Sequence, residues 1–312
     1  MRIIHLSDLH LNAIFKRENI KKLKRTLAHI VKTGFDHLVV TGDISDNADE
    51  KEFLIFHKLL KKYNLLHSEK TSVVIGNHDI FGGVQTALDV VEFPKKCKNT
   101  NYDLRVKKFV EIFKELFENV IYADDNRIFP FVKIVGDHAF FGMNSIERYG
   151  RLKNPFASNG KVSEDQLSLL KKLADDERVS GLKKILMIHH HFYKKNVETT
   201  ASENSLWNKI ETFTMKLKKK KFIIKQLKIA QIEFVLHGHS HEMKDYTRKG
   251  IRFVNAGASL DNNSHTSEFY SITSSQINTE VQLCTVPVNI FNPLSLHLPN
   301  ISYHKLTEQP VN

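Results

Sequence analysis

Five apolar runs, each closed by a polar cluster, constrain this chain more than any other feature. Ile3, Ile4 and Leu6 precede Asp8-Leu9-His10; Leu38-Val39-Val40 precedes Gly42-Asp43-Ile44-Ser45-Asp46; Val73-Val74-Ile75 precedes Gly76-Asn77-His78-Asp79. Residues 185–188 precede His189-His190-His191, and Phe234-Val235-Leu236 precedes Gly238-His239-Ser240-His241. Continuous runs of this length, rich in β-branched residues and ended by Gly or polar residues, read as strands buried on both faces. In an open α/β sheet the carboxyl ends of such strands line one crevice, where ligands bind. Five runs that deliver carboxylate, carboxamide and imidazole groups at that end can converge on one point. Those groups suit Mn, Fe, Zn and similar divalent ions. Each cluster alone says little, because D-x-H recurs by chance, Gly-Asp is a common turn and a strand-end histidine is more often structural. The ordered set is what points to a two-metal centre.

That set, D-x-H, G-D, G-N-H-D, H and G-H-x-H, resembles the motif order of the calcineurin-like metallophosphoesterase superfamily. Residues 4–11 (I-H-L-S-D-L-H-L), residues 160–170 (G-K-V-S-E-D-Q-L-S-L-L), the triple histidine and Asn255-Ala256-Gly257-Ala258-Ser259 are similar to the bacterial branch containing cyclic-nucleotide phosphodiesterases. The likeness covers about residues 1–285 and is specific at the motifs. It implies an α/β fold of two stacked mixed β-sheets flanked by helices, a four-layer α/β/β/α sandwich. It places Asp8, His10, Asp43 and His241 on one metal and Asn77, His189 and His239 on the other, with Asp43 bridging. The implied ions are Mn or Fe, with Zn or Co as alternatives, because these ligand types do not separate them. A bridging carboxylate holds two such cations roughly 3.5–4 Å apart, and a shared water falls to a pKa of about 7. The resemblance then implies attack of that metal-bridging hydroxide on phosphorus, with the metals neutralising charge on the phosphoryl oxygens.

His78 is the catalytic group that the resemblance assigns to the leaving oxygen, which it would stabilise or protonate; its ordinary pKa lies near working pH. Asp79 reads as its catalytic partner, orienting or charging it. Within the triple histidine, His189 comes first after its strand and aligns with the ligand of the family. His190 points to the other face of an extended chain and suits packing, which leaves His191 toward substrate. His5 alternates with Ile4 and Leu6 and reads as a packed residue, and Phe192 stands where many relatives continue with proline.

The 312 residues, 41% of them hydrophobic, suffice for one large core. Strand and helix patterns alternate without a Gly-, Pro- or Ser-rich linker, so one domain is expected over residues 1–286 and a C-terminal tail over 287–312. Helices are expected near 17–32, 49–63, 104–118, 163–176 and 205–231, the last broken, and strand-like stretches near 129–143, 243–256 and 268–286. No 18-residue apolar stretch exists, so no transmembrane span is expected, and a first strand starting at Arg2 leaves no room for a signal peptide. Cys97 and Cys284 fit no metal spacing, which agrees with a cytoplasmic location. The net charge of +11 invites a nucleic-acid or membrane reading. Lysine supplies 36 of the 46 basic residues in a chain also rich in Ile, Asn and Phe, which reads as solvated surface. The lysine run at 216–221, interrupted by Leu217, reads as the wet face of a helix, with attraction to a phosphate-rich substrate or anionic lipid as the alternative. No stable nucleic-acid partner is expected, peripheral membrane contact stays open, and oligomeric state is not legible.

The leading expectation is a phosphodiesterase acting on a small phosphodiester, with a 3′,5′-cyclic nucleotide as first choice. Alternatives are a pyrophosphohydrolase of a lipid-linked nucleotide sugar, favoured by any basic apolar patch beside the cleft, and a nuclease, which needs a long basic groove. A scaffold without catalysis is disfavoured because every ligand position is filled. Substrate choice falls to the connections at 80–103, at 144–160 with Asn144, Arg148, Tyr149 and Arg151, and at 192–207 with Phe192 and Trp207.

Overall fold

Side chains alternate across the strands, and that alternation separates two apolar layers. The computed structural model describes residues 1–84, 86–193, 215–260 and 265–287. Strands β1 (Arg2–Leu6), β2 (His37–Val40) and β3 (Thr71–Val73) run parallel. Antiparallel β11 (Thr266–Ser274) and β12 (Thr279–Pro287) extend them into a five-stranded sheet of order β12-β11-β1-β2-β3. A second sheet of seven strands takes, in spatial order, β4 (Ile121–Tyr122), β5 (Phe131–Val135), β6 (His138–Gly142), β7 (Lys183–Met187), β8 (Phe234–His237), β10 (Ile251–Ala256) and β9 (Met243–Arg248). Its centre is parallel, from β6 to β10, and its edges are antiparallel.

Phe140, Ile185, Met187, Phe234, Leu236 and Val254 point from the second sheet into a core shared with Ile3 and Tyr270 of the first. Their neighbours Phe141, Leu186, Ile188, Val235 and Phe253 point the opposite way, onto Leu167 and Leu170 of α6 (Glu164–Ala174) and Ile223, Ile224 and Leu227 of α7 (Lys220–Ile229). Ile4, on the other face of β1, lies in the same buried cluster as Leu23, Leu27 and Ile30 of helix α1 (Arg17–Thr33) and Phe53, Phe56 and Leu60 of α2 (Glu50–Lys62). Two mixed sheets flanked by helices are thus the observed architecture.

Several elements depart from the sequence reading. The expected connection at 80–103 follows the short helix α3 (Asn77–Phe81) and holds a helix of its own, α4 (Ala87–Asn99). Thr86 and Asp89 cap α4 reciprocally, while Pro94 inside it conceals the helical pattern. The strand-like stretches near 129–143, 243–256 and 268–286 are each a hairpin of two strands, two of them turning at Gly136 and Gly250 with φ of 56° and 80°. The helix near 104–118 divides into α5 (Tyr102–Ile112) and a 3₁₀ turn at Lys114–Phe117. Of the helix expected at 205–231, only the part from 215 onward lies among the described residues; Trp207 and the tail at 288–312 lie outside them. Both cysteines are free and buried, and no described helix is long and apolar enough to cross a membrane.

Phe113 is fully buried where Phe53, Phe56 and Phe109 meet it at ring separations of 5.1–6.0 Å. Replacing Phe113 with Ala is expected to lower unfolding free energy by about 3–5 kcal/mol in denaturant melts. A loss under about 1 kcal/mol would show that this cluster closes around the vacancy.

Candidate metal centre

The loops that leave the strands are tied to one another before any side chain is considered. After β1 and β2, Asp8 N donates to the Gly42 carbonyl at 3.1 Å and His10 N to the Asp43 carbonyl at 3.0 Å. After β7 and β8, Gly238 N donates to the His189 carbonyl at 2.9 Å. The sheets are joined where His239 N donates to both Asp8 carboxylate oxygens at 2.9 and 3.1 Å. Within the first sheet's own loops, His78 N donates to Asp43 Oδ1 at 2.8 Å. Asp8, His10, Asp43, His239 and His241 all have positive φ, between 43° and 75°. Side chains avoid that region at a cost of order 1 kcal/mol each, and they persist there when the surroundings over-determine them. The chain also comes very close at two glycines. A Cβ on Gly76 would lie 2.1 Å from Asp43 Oδ1, and one on Gly238 would lie 2.2 Å from Asp8 Oδ2.

These turns gather the expected ligand atoms into two nests. In one, His189 Nε2 lies 3.1 Å from Asn77 Oδ1, 3.1 Å from His239 Nδ1 and 3.3 Å from Asp43 Oδ2. His189 Nδ1 donates to the Thr41 carbonyl at 2.8 Å, so a neutral ring turns the Nε2 lone pair inward. In the other, His10 Nε2 lies 3.1 Å from His241 Nε2, and His241 Nε2 lies 3.7 Å from Asp8 Oδ1. Asp43 Oδ2 borders this nest too, 4.0 Å from His10 Nε2. His241 is 44% exposed at its side chain, whereas Asp8, His10, Asp43, His189 and His239 are buried to 2% exposure or less.

Acceptors crowded at these distances repel unless positive charge lies among them, and the acid–base balance shows the demand. Burial lowers the pKa of His189, yet Asp43 and Asp8 outweigh it and hold the ring up at about 9. Burial likewise pushes Asp43 up, and the charges of His189, His78 and His10 reverse this and hold its carboxyl well below the usual range. Asp8 is pushed by burial up to about 6. Imidazole, carboxylate and carboxamide groups arranged this way suit divalent cations, and each nest could hold one.

Around the nests the expected roles divide differently. Asp79 does not meet the His78 ring; its carboxylate turns back to accept from Ser45 N at 2.9 Å and Gly76 N at 2.8 Å, closing the first turn of α3. Asp46, to which sequence reasoning gave no role, takes the place expected of Asp79. His78 Nδ1 lies 3.0 Å from the Asp46 carbonyl and 3.8 Å from its carboxylate. Asp46 Oδ1 is also 3.2 Å from His10 Nδ1, a charge contact more than an aligned hydrogen bond, and 3.3 Å from Lys16 Nζ. Burial pushes Asp46 up, but His10, His78 and Lys16 outweigh it and hold the carboxyl at about 2. The signal in the sequence was the spacing itself, three residues beyond Asp43 in the same turn.

His190 packs as its position suggested, with Nδ1 2.8 Å from Ser145 Oγ and Nε2 3.1 Å from the Ser158 carbonyl. His191 lays its ring near-parallel to that of His239, centroids 5.8 Å apart. His5 is buried with Nε2 2.9 Å from Thr41 Oγ1. Asn255 donates to the Tyr193 hydroxyl at 2.8 Å and to Ser240 Oγ at 2.5 Å, which pins the turn between His239 and His241. Arg148 is engaged, stacked 4.4 Å over Tyr102 and paired with Asp103.

A profile described as "Calcineurin-like phosphoesterase" matches residues 1–243. No curated protein matches the sequence. Among solved structures the chain is similar to a dimetal phosphatase from Danio rerio, with TM-score 0.57 and 11% identity over 92% of this chain and 95% of that one. It is also similar to GAP50, the anchor in the inner membrane complex of Plasmodium (TM-score 0.49, 14% identity, 100% and 92% covered). A third likeness is to phosphopantetheinyl hydrolase from Mycobacterium tuberculosis (TM-score 0.44, 13% identity, 82% and 88% covered). At identities this low the likeness is one of fold.

Asp46→Asn should lower divalent-metal affinity by about 10–100-fold in chelator competition, because an outer carboxylate raises the basicity of the imidazole whose charge it contacts. Unchanged affinity would show that His10 keeps its orientation without that charge.

Proposed function

Since the chain belongs to the calcineurin-like phosphoesterase family, we propose that it hydrolyses a small phosphodiester with the help of two divalent cations, Mn or Fe. The observation that carries this reading is the pair of acceptor nests that meet at Asp43 Oδ2. Asp8, His10, Asp43 and His241 would hold one cation, and Asn77, His189, His239 and the same Asp43 the other. Bound there, the cations supply Lewis-acid chemistry, lowering the pKa of a shared water and neutralising phosphoryl charge. Similarity of residues 4–11 and 255–259 to the cyclic-nucleotide branch supports a diester, a cyclic nucleotide first, as substrate.

The chain's own contribution to bond breaking rests with His78. Its Nδ1 is held at the Asp46 carbonyl, so the neutral ring keeps its proton there and offers none at Nε2. Donation to a leaving oxygen therefore requires the imidazolium. Burial disfavours that form and outweighs the carboxylates of Asp43 and Asp46, which favour it, so the pKa of the ring lies below the ordinary histidine value. Asp43 also accepts the His78 backbone N–H, which couples the placement of the acid to the nests.

Metal-stripped protein resupplied with Mn should turn over bis-p-nitrophenyl phosphate faster than p-nitrophenyl phosphate, and should cleave cyclic AMP. Faster turnover of the monoester would overturn the diester assignment. Asp43→Asn is expected to abolish turnover and to lower metal content at both positions; near-normal activity would remove the bridging role. His78→Ala should slow hydrolysis about 10²–10⁴-fold with metal content retained, and less for nitrophenol esters than for poor leaving groups. Equal losses across leaving groups would contradict a proton donor.

A further inference from the structure

We propose that Glu52 is a positioning residue for His78: its carboxylate fixes the peptide between Asp46 and Asn47, and the carbonyl of that peptide fixes the imidazole. The proposal deepens the phosphoesterase reading and rests on it for what His78 does at the leaving oxygen. Glu52 is 4% exposed and lies in the first turn of α2, where the helix N-terminus favours a buried carboxylate. One of its oxygens, Oε2, collects three donors from the loop after β2: Ser45 Oγ at 2.6 Å, Asp46 N at 3.0 Å and Asn47 N at 3.0 Å. Phe53, Phe56 and Leu60 of the same helix pack into the core, so the carboxylate is carried on a rigid base.

Peptide planarity carries that grip to the imidazole. The Asn47 N–H and the Asp46 carbonyl belong to one trans peptide unit, so they leave a single rigid plane in opposite directions. Glu52 accepts from the N–H, and on the far side the carbonyl accepts from Gly83 N at 2.7 Å and lies 3.0 Å from His78 Nδ1. Those two donors occupy both lone pairs of the carbonyl, and a turn of the peptide plane would break the contacts on both sides together. The Ser45 hydroxyl that donates to Glu52 also accepts from Asn47 N and Asp49 N, each at 3.2 Å, and so closes the loop. Capping of α2 does not account for this arrangement. Asp49 already serves as the cap, accepting from Lys51 N at 2.9 Å, whereas Glu52 reaches out of the helix into the loop that carries Asp43 and Asp46.

The test uses the full-length, Mn-loaded protein and two diesters that differ in leaving group, bis-p-nitrophenyl phosphate and diphenyl phosphate. Glu52→Gln keeps an acceptor in reach without the charge, and Glu52→Asp keeps the charge but withdraws it by one methylene. Glu52→Gln is expected to stay within about threefold of the unaltered protein on both diesters. Glu52→Asp should lose about 10–100-fold on diphenyl phosphate, much less on bis-p-nitrophenyl phosphate, and keep its metal. In a His78→Ala background Glu52→Asp should cost nothing further, because residues that act through one another are not additive. If Glu52→Asp does not fold, Ser45→Ala, which removes one donor of the clamp and no apolar side chain, is expected to show the same selective loss. Equal losses with and without His78, or a loss in Glu52→Gln as large as that in Glu52→Asp, would overturn the proposal.

A readout apart from turnover is the His78 Nδ1–H proton, followed by nitrogen-15 NMR in the diamagnetic, Zn-loaded protein. It should be protected from solvent exchange in the unaltered protein and in Glu52→Gln, and should exchange at least about tenfold faster in Glu52→Asp. Turnover with an Nδ1–H signal indifferent to Glu52 sinks the clamp alone. A signal that follows Glu52 in a protein without turnover of either diester sustains the clamp and sinks the phosphoesterase reading.

Discussion

One buried oxygen organises the site. Asp43 Oδ2 lies 3.3 Å from a histidine nitrogen of the second sheet, His189 Nε2, and 4.0 Å from one of the first, His10 Nε2. Lone pairs brought this close in a dry interior need positive charge between them, and the raised pKa of His189 beside the strongly acidic Asp43 is the same demand expressed in protons. The surrounding backbone serves this convergence. Positive φ at Asp8, His10, Asp43, His239 and His241, and the near contact of Gly76 and Gly238 with carboxylates, are conformations that an ordinary loop avoids. Helix, sheet and core packing hold them in place.

The parts of this arrangement legible in the sequence were those written as local pattern. Apolar runs buried on both faces marked β1, β2, β7 and β8, and the polar clusters after them marked the crevice. Two kinds of feature were hidden. Helix α4 carries Pro94 and few buried apolar positions, so its capping box at Thr86 and Asp89 was the main sign of it. The three hairpins of the later half continue the same residue chemistry through their turns, so they read as single stretches.

Asp46 and Asp79 show the other limit. Adjacency made Asp79 the natural partner of His78, but a residue at the third position of a helix reaches back to its own first turn, and Asp79 caps Gly76 there. Asp46 comes to His78 and His10 from a different loop, which only the tertiary fold places beside them. The triple histidine divides its work in a way that alternation foreshadowed: His189 turns to the nests, His190 to Ser145, and His191 lies against the ring of His239. The helix that follows the lysine run near 216–221 has an apolar inner face at Ile223, Ile224 and Leu227, as a solvated helix requires.

The most direct test of the account is stoichiometric titration of metal-stripped protein with Mn, read by electron paramagnetic resonance. The account predicts that two ions bind per chain and that their signal is exchange-coupled through the shared Asp43 carboxylate. A single bound ion, or two ions with independent signals, would contradict it.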